Sequence, residues 1–137
     1  MLRKALFATL PAAIVAGVLG TAASAENGAV PDASEFNHIQ RYAIAYDKPR
    51  DLAHFYLREA GFKKYDAEIE VVDDPANSDR RVIIMTVEPI ANAQVKGMQW
   101  RFGIRSNARR WEAVEAGMRR KCVSGPNADQ WTRDVCP

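Results

Sequence analysis

The chain has 137 residues, 47% of them hydrophobic and 26% charged, with 19 Lys+Arg against 17 Asp+Glu. That composition excludes a disordered, collagen-like or coiled-coil chain. The length allows one small domain and leaves no room for two.

Arg3 and Lys4 precede an apolar run from Ala5 to Leu19, and small residues then lead to Ala23-Ser24-Ala25 before Glu26. A basic start, a short apolar stretch and a small-x-small site predict a secretory signal peptide over residues 1–25, removed on export. The uncharged run from Ala5 to Ala25 is 21 residues, long enough to raise the question of a retained anchor. Pro11, Gly17 and Gly20 interrupt it and no basic stop-transfer cluster follows, so no stable membrane anchor is expected after removal. The expected location is periplasmic or secreted. Without Arg3 and Lys4 the remaining 112 residues carry 17 Lys+Arg and 17 Asp+Glu. The basic balance of the whole chain is therefore no sign of a nucleic-acid partner, and none is expected.

Cys122 and Cys136 are the only cysteines. An even count, an exported context and a Pro-Gly-containing intervening stretch predict a disulfide between them. Neither the spacing nor a nearby His suggests a redox pair or a metal site.

Residues 26–35 are read as a flexible leader. Pro31-Asp32-Ala33-Ser34-Glu35 has the composition of a helix start, with Asp32 or Ser34 as N-cap. Phe36, Ile39, Ala43 and Tyr46 continue it at near-helical spacing, although Tyr42, Ile44 and Tyr46 alternate as a strand would. A second helix is clearer. Pro49 falls in its first turn, Leu52, Phe55, Tyr56 and Ala60 make one stripe, and Gly61 ends it. From Ala67 the period changes to two. Strands are predicted around Ala67–Val71, Arg81–Val87 and Met98–Ile104, and from Arg109 to Cys122 after a turn at Ser106-Asn107-Ala108. Gly117 argues against reading that last segment as a helix.

The predicted fold class is α+β over residues 36–137: two N-terminal helices packed on a four-stranded antiparallel meander, with a C-terminal disulfide-tied loop. The amphipathic helices ending in Phe55-Tyr56-Leu57, followed by a meander with Trp100-Arg101-Phe102 and Arg110-Trp111 on its last hairpin, resemble the nuclear-transport-factor-like and cystatin-like folds. The tail Cys122…Trp131-Thr132…Cys136-Pro137 also resembles those of small secreted bacterial proteins. The resemblance implies a curved sheet around a helix and, in the nuclear-transport-factor-like case, a cone-shaped space able to hold a small ligand. Tyr42, Tyr46, Tyr56 and Trp100 are the pocket candidates for that space. Fold likeness alone assigns no activity.

No motif supplies chemistry. His38 and His54 lack metal-ligand spacing, and no nucleophile elbow or phosphate loop is present. The run Asp73, Asp74, Asn77, Asp79 fails the calcium-loop pattern, because position 3 is Pro75 and position 12 is Ile84. No catalytic residue, metal or cofactor is expected. Charge is more informative. Residues 26–92 hold 8 Lys+Arg and 13 Asp+Glu, net −5, whereas residues 93–137 hold 9 and 4, net +5. Arg101, Arg105, Arg119 and Lys121 on the last hairpin are the candidates for binding an anionic envelope component or an acidic envelope protein. The competing expectation is that Glu112, Glu115 and the acidic first half neutralise them. The functional expectation is an exported, non-catalytic binding protein, and a ligand carrier or small enzyme with a cone-shaped pocket is the alternative.

Overall fold

The structure, a computed structural model, describes residues 28–137, so the predicted signal peptide and the first two residues of the leader lie outside the described residues. After a 3-10 turn at Ala33–Glu35, the elements in chain order are β1 (Asn37–His38), β2 (Ala45–Tyr46), α1 (Pro49–Glu59), β3 (Glu68–Asp73), β4 (Arg80–Val87), β5 (Val95–Asn107), β6 (Arg110–Cys122) and β7 (Trp131–Thr132). The seven strands form one sheet in the order β1-β6-β5-β4-β3, with β2 and β7 also pairing with β6. All of these strand pairings are antiparallel.

The α+β arrangement of two helices on a four-stranded meander is therefore corrected: the molecule is a large antiparallel sheet carrying a single α-helix among the described residues. The predicted first helix stops after one 3-10 turn. Its start was read correctly in kind, since Asp32 accepts from the Ser34 N–H and Glu35 accepts from the Asp32 N–H in a capping box. What prevents continuation is the free edge of β6. That strand is 13 residues long, and its edge away from β5 presents unpaired N–H and C=O groups that need partners. Three short strands fill the edge in turn: β2 opposite Trp111 and Glu112, β1 opposite Gly117 and Met118, and β7 opposite Arg120 and Lys121. The Ile39 N–H adds a bond to the Ala116 carbonyl at 3.1 Å. Residues 37–46 gain more from that edge than from a second helix, despite their helical spacing.

The remaining elements follow their local patterns. Pro49 takes the first helical position of α1, and Gly61 ends the helix with φ +86°, a conformation that glycine adopts without strain. Leu52, Ala53, Tyr56 and Leu57 form the buried stripe of α1. It packs on the inner sheet face, where Ile69, Ile83, Met85, Trp100, Phe102 and Ile104 alternate with residues of the opposite face. Full burial of each large side chain contributes about 1.5–3 kcal/mol. Ala108 (φ 48°) and Arg109 (φ 66°) form the turn between β5 and β6. Two consecutive positive φ values match the right-handed twist of a tight hairpin.

Residues 28–36 run as a strap over the second face of the sheet, from a recess of about 300 Å³ that residues 28–31 line with Glu68, Glu70 and Ile84 of β3 and β4, to β5 and β6. Phe36 is buried there against Gly117, at a spacing so close that a Cβ on Gly117 would lie 2.7 Å from the Phe36 Cβ. The C-terminal loop closes through the Cys122–Cys136 disulfide, as the two cysteines predicted. In the chain-entropy account, a loop of about 15 residues gains roughly 3 kcal/mol from such a bond.

Candidate functional site

The period-two geometry of β5 and β6 sends Trp100 and Phe102 to the helix side and Gln99, Arg101 and Arg119 to the strap side. Arg101 is 5% exposed and Arg119 is 6% exposed. Arg101 donates from Nε to the Pro31 carbonyl at 2.9 Å and from an Nη to Glu115 at 2.8 Å. Arg119 donates from Nε to Gln99 Oε1 at 2.9 Å and pairs with Glu35 on the strap. Its guanidinium lies 4.5 Å from the Phe36 ring centroid and 5.6 Å from that of Trp131. Burial pulls the Arg119 pKa down, and the hydrogen bond and charge of Glu35 oppose that pull. These two arginines tie the strap to the sheet.

The other two hairpin candidates are paired as well. Lys121 sits 2.9 Å from the Glu88 carboxylate and 4.6 Å from the Trp131 ring centroid. Arg105, beyond the bulge at Gly103/Ile104, meets Glu112 at 3.3 Å. Arg101, Arg105, Arg119 and Lys121 are thus each neutralised by a carboxylate, and the structure does not gather them into one open patch.

The tyrosines are brought together around α1. Tyr42 meets Phe55 edge-on at 5.0 Å and Tyr56 at 5.4 Å, while Tyr56 lies 4.5 Å from Phe102. The Tyr56 hydroxyl accepts from the Tyr42 N–H at 3.0 Å. Burial holds the Tyr56 phenol above its ordinary value, and the Tyr42 N–H bond partly offsets this. Trp100 is buried farther along, against Phe62 at 6.1 Å. Side chains of Leu52, Tyr56, Leu57, Trp100 and Phe102 occupy the space between helix and sheet.

Two of the pocket candidates also line recesses: Tyr42 one of about 240 Å³ beside Arg105 and Glu112, and Tyr46 a larger cleft of about 480 Å³ on the solvent side of α1. His54 and Arg58, one helical turn apart, form one wall with Asp51. Phe62, Lys63 and Lys64, from the turn after Gly61, form the other. Arg58, in the last turn of α1, and Lys63, just beyond it, are exposed cations at the negative end of the helix dipole, where positive charge is favoured. Within the described residues Arg58, Lys63 and Lys64 form no ion pair, unlike the four hairpin cations. Arg58 lies 5.8 Å from the Phe55 ring centroid, and Lys63 lies 6.0 Å from that of Tyr65, a residue that is 76% exposed. The cleft therefore combines aromatic walls, uncompensated positive charge and one carboxylate.

Two further sequence features have structural explanations. Asp74 organises the turn from β3 to β4, accepting from the Ala76 N–H at 2.9 Å and donating its own N–H to the Arg80 carbonyl. Asp73 pairs with Arg81 at 3.5 Å. His38 is exposed on β1 and does not line the cleft, whereas His54 is half-buried in it. Among the described residues no group of three or more His, Cys, Asp or Glu is placed to hold a metal ion. No described helix is long and apolar enough to cross a membrane.

The chain matches no protein-family model, no curated protein and no solved structure.

In the sequence, Arg50, His54 and Arg58 recur at i, i+4 and i+8 opposite the apolar stripe of α1, a spacing that by itself indicates only the solvated face of an amphipathic helix. Lys63-Lys64-Tyr65 directly after the helix-ending Gly61 was the available signal. A basic pair beside exposed aromatics, next to a helix face with cations at i and i+4, places charge on one side of the molecule.

Proposed function

We infer that this is an exported, non-catalytic binding protein of the periplasm or cell envelope, and that it engages an anionic envelope component or an acidic envelope protein through the α1 cleft. The observation that carries the reading is the distribution of pairing. Each cation singled out on the last hairpin is ion-paired with a carboxylate, whereas Arg58, Lys63 and Lys64 line a cleft beside Tyr46 and Phe62 and form no ion pair among the described residues, Asp51 being the one carboxylate in its wall. An unpaired cation draws an anion without first giving up an internal partner, and a concave apolar wall excludes the water that would weaken the contact. The disulfide fits an oxidising compartment.

The test is retention of the purified protein on isolated envelope material at two salt concentrations. The Arg58→Ser/Lys63→Ser/Lys64→Ser variant is predicted to bind about a hundredfold more weakly, at roughly 1 kcal/mol per cation near an anionic surface. Arg105→Ser, which breaks an exposed pair elsewhere, should leave retention unchanged. Equal retention of the triple variant and the parent protein refutes the assignment of the cleft.

A further inference from the structure

We propose that the ligand of the α1 cleft is an acidic saccharide, a pyranose unit bearing a carboxylate within an anionic envelope polysaccharide. This rests on the reading of the cleft as an anion site and narrows the chemistry that it recognises.

The cleft is not lined only by features that an anion needs. Asp51 stands in its wall, on the same side of α1 as Arg58 and two turns before it. A site built for charge alone gains nothing from that carboxylate, which repels the ligand. A site built for a ligand with both a carboxylate and hydroxyl groups uses it, because an ionised carboxylate accepts hydrogen bonds from hydroxyls and the lysines and Arg58 bind the acid. The aromatic walls point the same way. Tyr46 and Phe62 are half-buried, so each keeps part of its ring open to the cleft. The negative face of an aromatic ring attracts the weakly positive C–H edges of a pyranose. The Tyr46 hydroxyl adds a group that can both donate and accept.

Shape separates this ligand from the other anions of an envelope. A bilayer surface is met by a convex or flat basic face, whereas this site is a recess of about 480 Å³, the size of a small-ligand pocket. A peptide that docks by adding a strand needs a free strand edge for its backbone. The cleft is walled instead by a helix, the turn that follows it and one residue of the two-residue strand β2, which is already paired with β6.

Asp51 gives the deciding experiment. Binding of tetragalacturonate to the purified protein is measured by calorimetry, alongside maltotetraose, inorganic phosphate and phosphatidylglycerol vesicles. The expected result is binding of tetragalacturonate far stronger than of the three others. It should be lost by tenfold or more in Arg58→Ser/Lys63→Ser and weakened about fivefold in Asp51→Asn, as when one hydrogen bond to a charged group becomes a neutral one. Thermal melting of each variant, within a few degrees of the parent, shows that the fold is kept. If Asp51→Asn strengthens tetragalacturonate binding, Asp51 acts only as a repelling charge and the saccharide assignment fails, while the anion site stands. If phosphate or the vesicles bind as well as tetragalacturonate, through Arg58 and Lys63, the ligand class is wrong in the same limited way. If none of the anionic probes binds in a manner that depends on Arg58 and Lys63, the cleft is not an anion site and both readings fall.

Discussion

Arg105 and Arg119 are indistinguishable in composition and lie in the same hairpin, yet they have opposite energetic roles. Arg105 meets Glu112 at the surface, where water competes for both partners and a pair of this kind contributes little. Arg119 is withdrawn from water and keeps its charge by spending every polar contact on the fold: Gln99 on β5, Glu35 on the strap, and the ring faces of Phe36 and Trp131. Gln99 in turn donates to the Thr86 hydroxyl at 2.9 Å, so the network reaches β4. Replacing Arg119 with Leu leaves Gln99 Oε1 without its donor and frees the strap carboxylate. Because Glu35 is itself half exposed, its loss of a partner costs less than in a fully buried pair. The predicted destabilisation is about 2 kcal/mol for Arg119→Leu and within about 0.5 kcal/mol of zero for Arg105→Ser. Urea unfolding midpoints measure both. Equal effects would mean that burial does not set the role of these residues. It also follows that serine substitutions at Arg101 and Arg119 report on folding before they report on any partner.

The strap and the three short strands along β6 are tertiary features written in residues far apart in sequence, and this decides what could be read in advance. Met98, Trp100, Phe102 and Ile104 alternate with polar residues, so β5 was legible from a window of seven residues. α1 was legible for the same reason at its own period. Residues 37–46 were not, because their partners on β6 lie 65 to 81 positions later and their own spacing satisfies a helix equally well. The alternation of Gln99 and Arg101 with apolar residues has the local pattern of a solvated face, because the cover comes from Phe36 and the residues before it, far away in sequence. Gly117, a small residue on that same outer face against which Phe36 packs, was the trace of the cover. Of the site, the helix cations were visible and the recess they line was not, since Tyr46 comes from β2 on one side of α1 and Phe62 and Lys64 from the turn on the other. Gly117 makes the point testable. Alanine there places a Cβ 2.7 Å from the Phe36 Cβ and 3.3 Å from the Asn37 carbonyl oxygen, and backbone must move to relieve both contacts. Gly117→Ala is predicted to destabilise by about 1–3 kcal/mol, as overpacking does. Amide exchange should show the loss concentrated at β1 and the strap, with α1 unaffected. Uniform loss of protection across the sheet would contradict a local clash.

At the scale of the whole molecule, one sheet serves two different interiors: an apolar one beneath α1 and a polar one beneath the strap. The polar interior holds charges that are paired, and the apolar interior holds phenols that must stay neutral. The second requirement sets an alkaline limit to stability. Burial raises the Tyr56 pKa above its ordinary 10.0, and burial also raises that of Tyr46. Between the unfolded and folded values the unfolded chain has released the proton and the native one retains it, so the unfolded state binds fewer protons and stability falls as pH rises. The full contribution is present below about pH 10 and is lost as pH climbs through the folded value. Lys96, whose pKa Asp129 raises through a hydrogen bond and its charge, adds to the same decline. Tyr56→Phe separates these causes. At pH 7 the variant is predicted to lose about 1 kcal/mol, because the Tyr42 N–H no longer finds its acceptor. Above pH 10 it should lose stability less steeply than the parent, retaining only the Tyr46 and Lys96 contributions, so that the two curves converge. Thermal midpoints followed by circular dichroism from pH 7 to 11 test this directly. Parallel curves, with the variant below the parent by a constant amount, would mean that the Tyr56 phenol is not held neutral by the packing of α1 on the sheet.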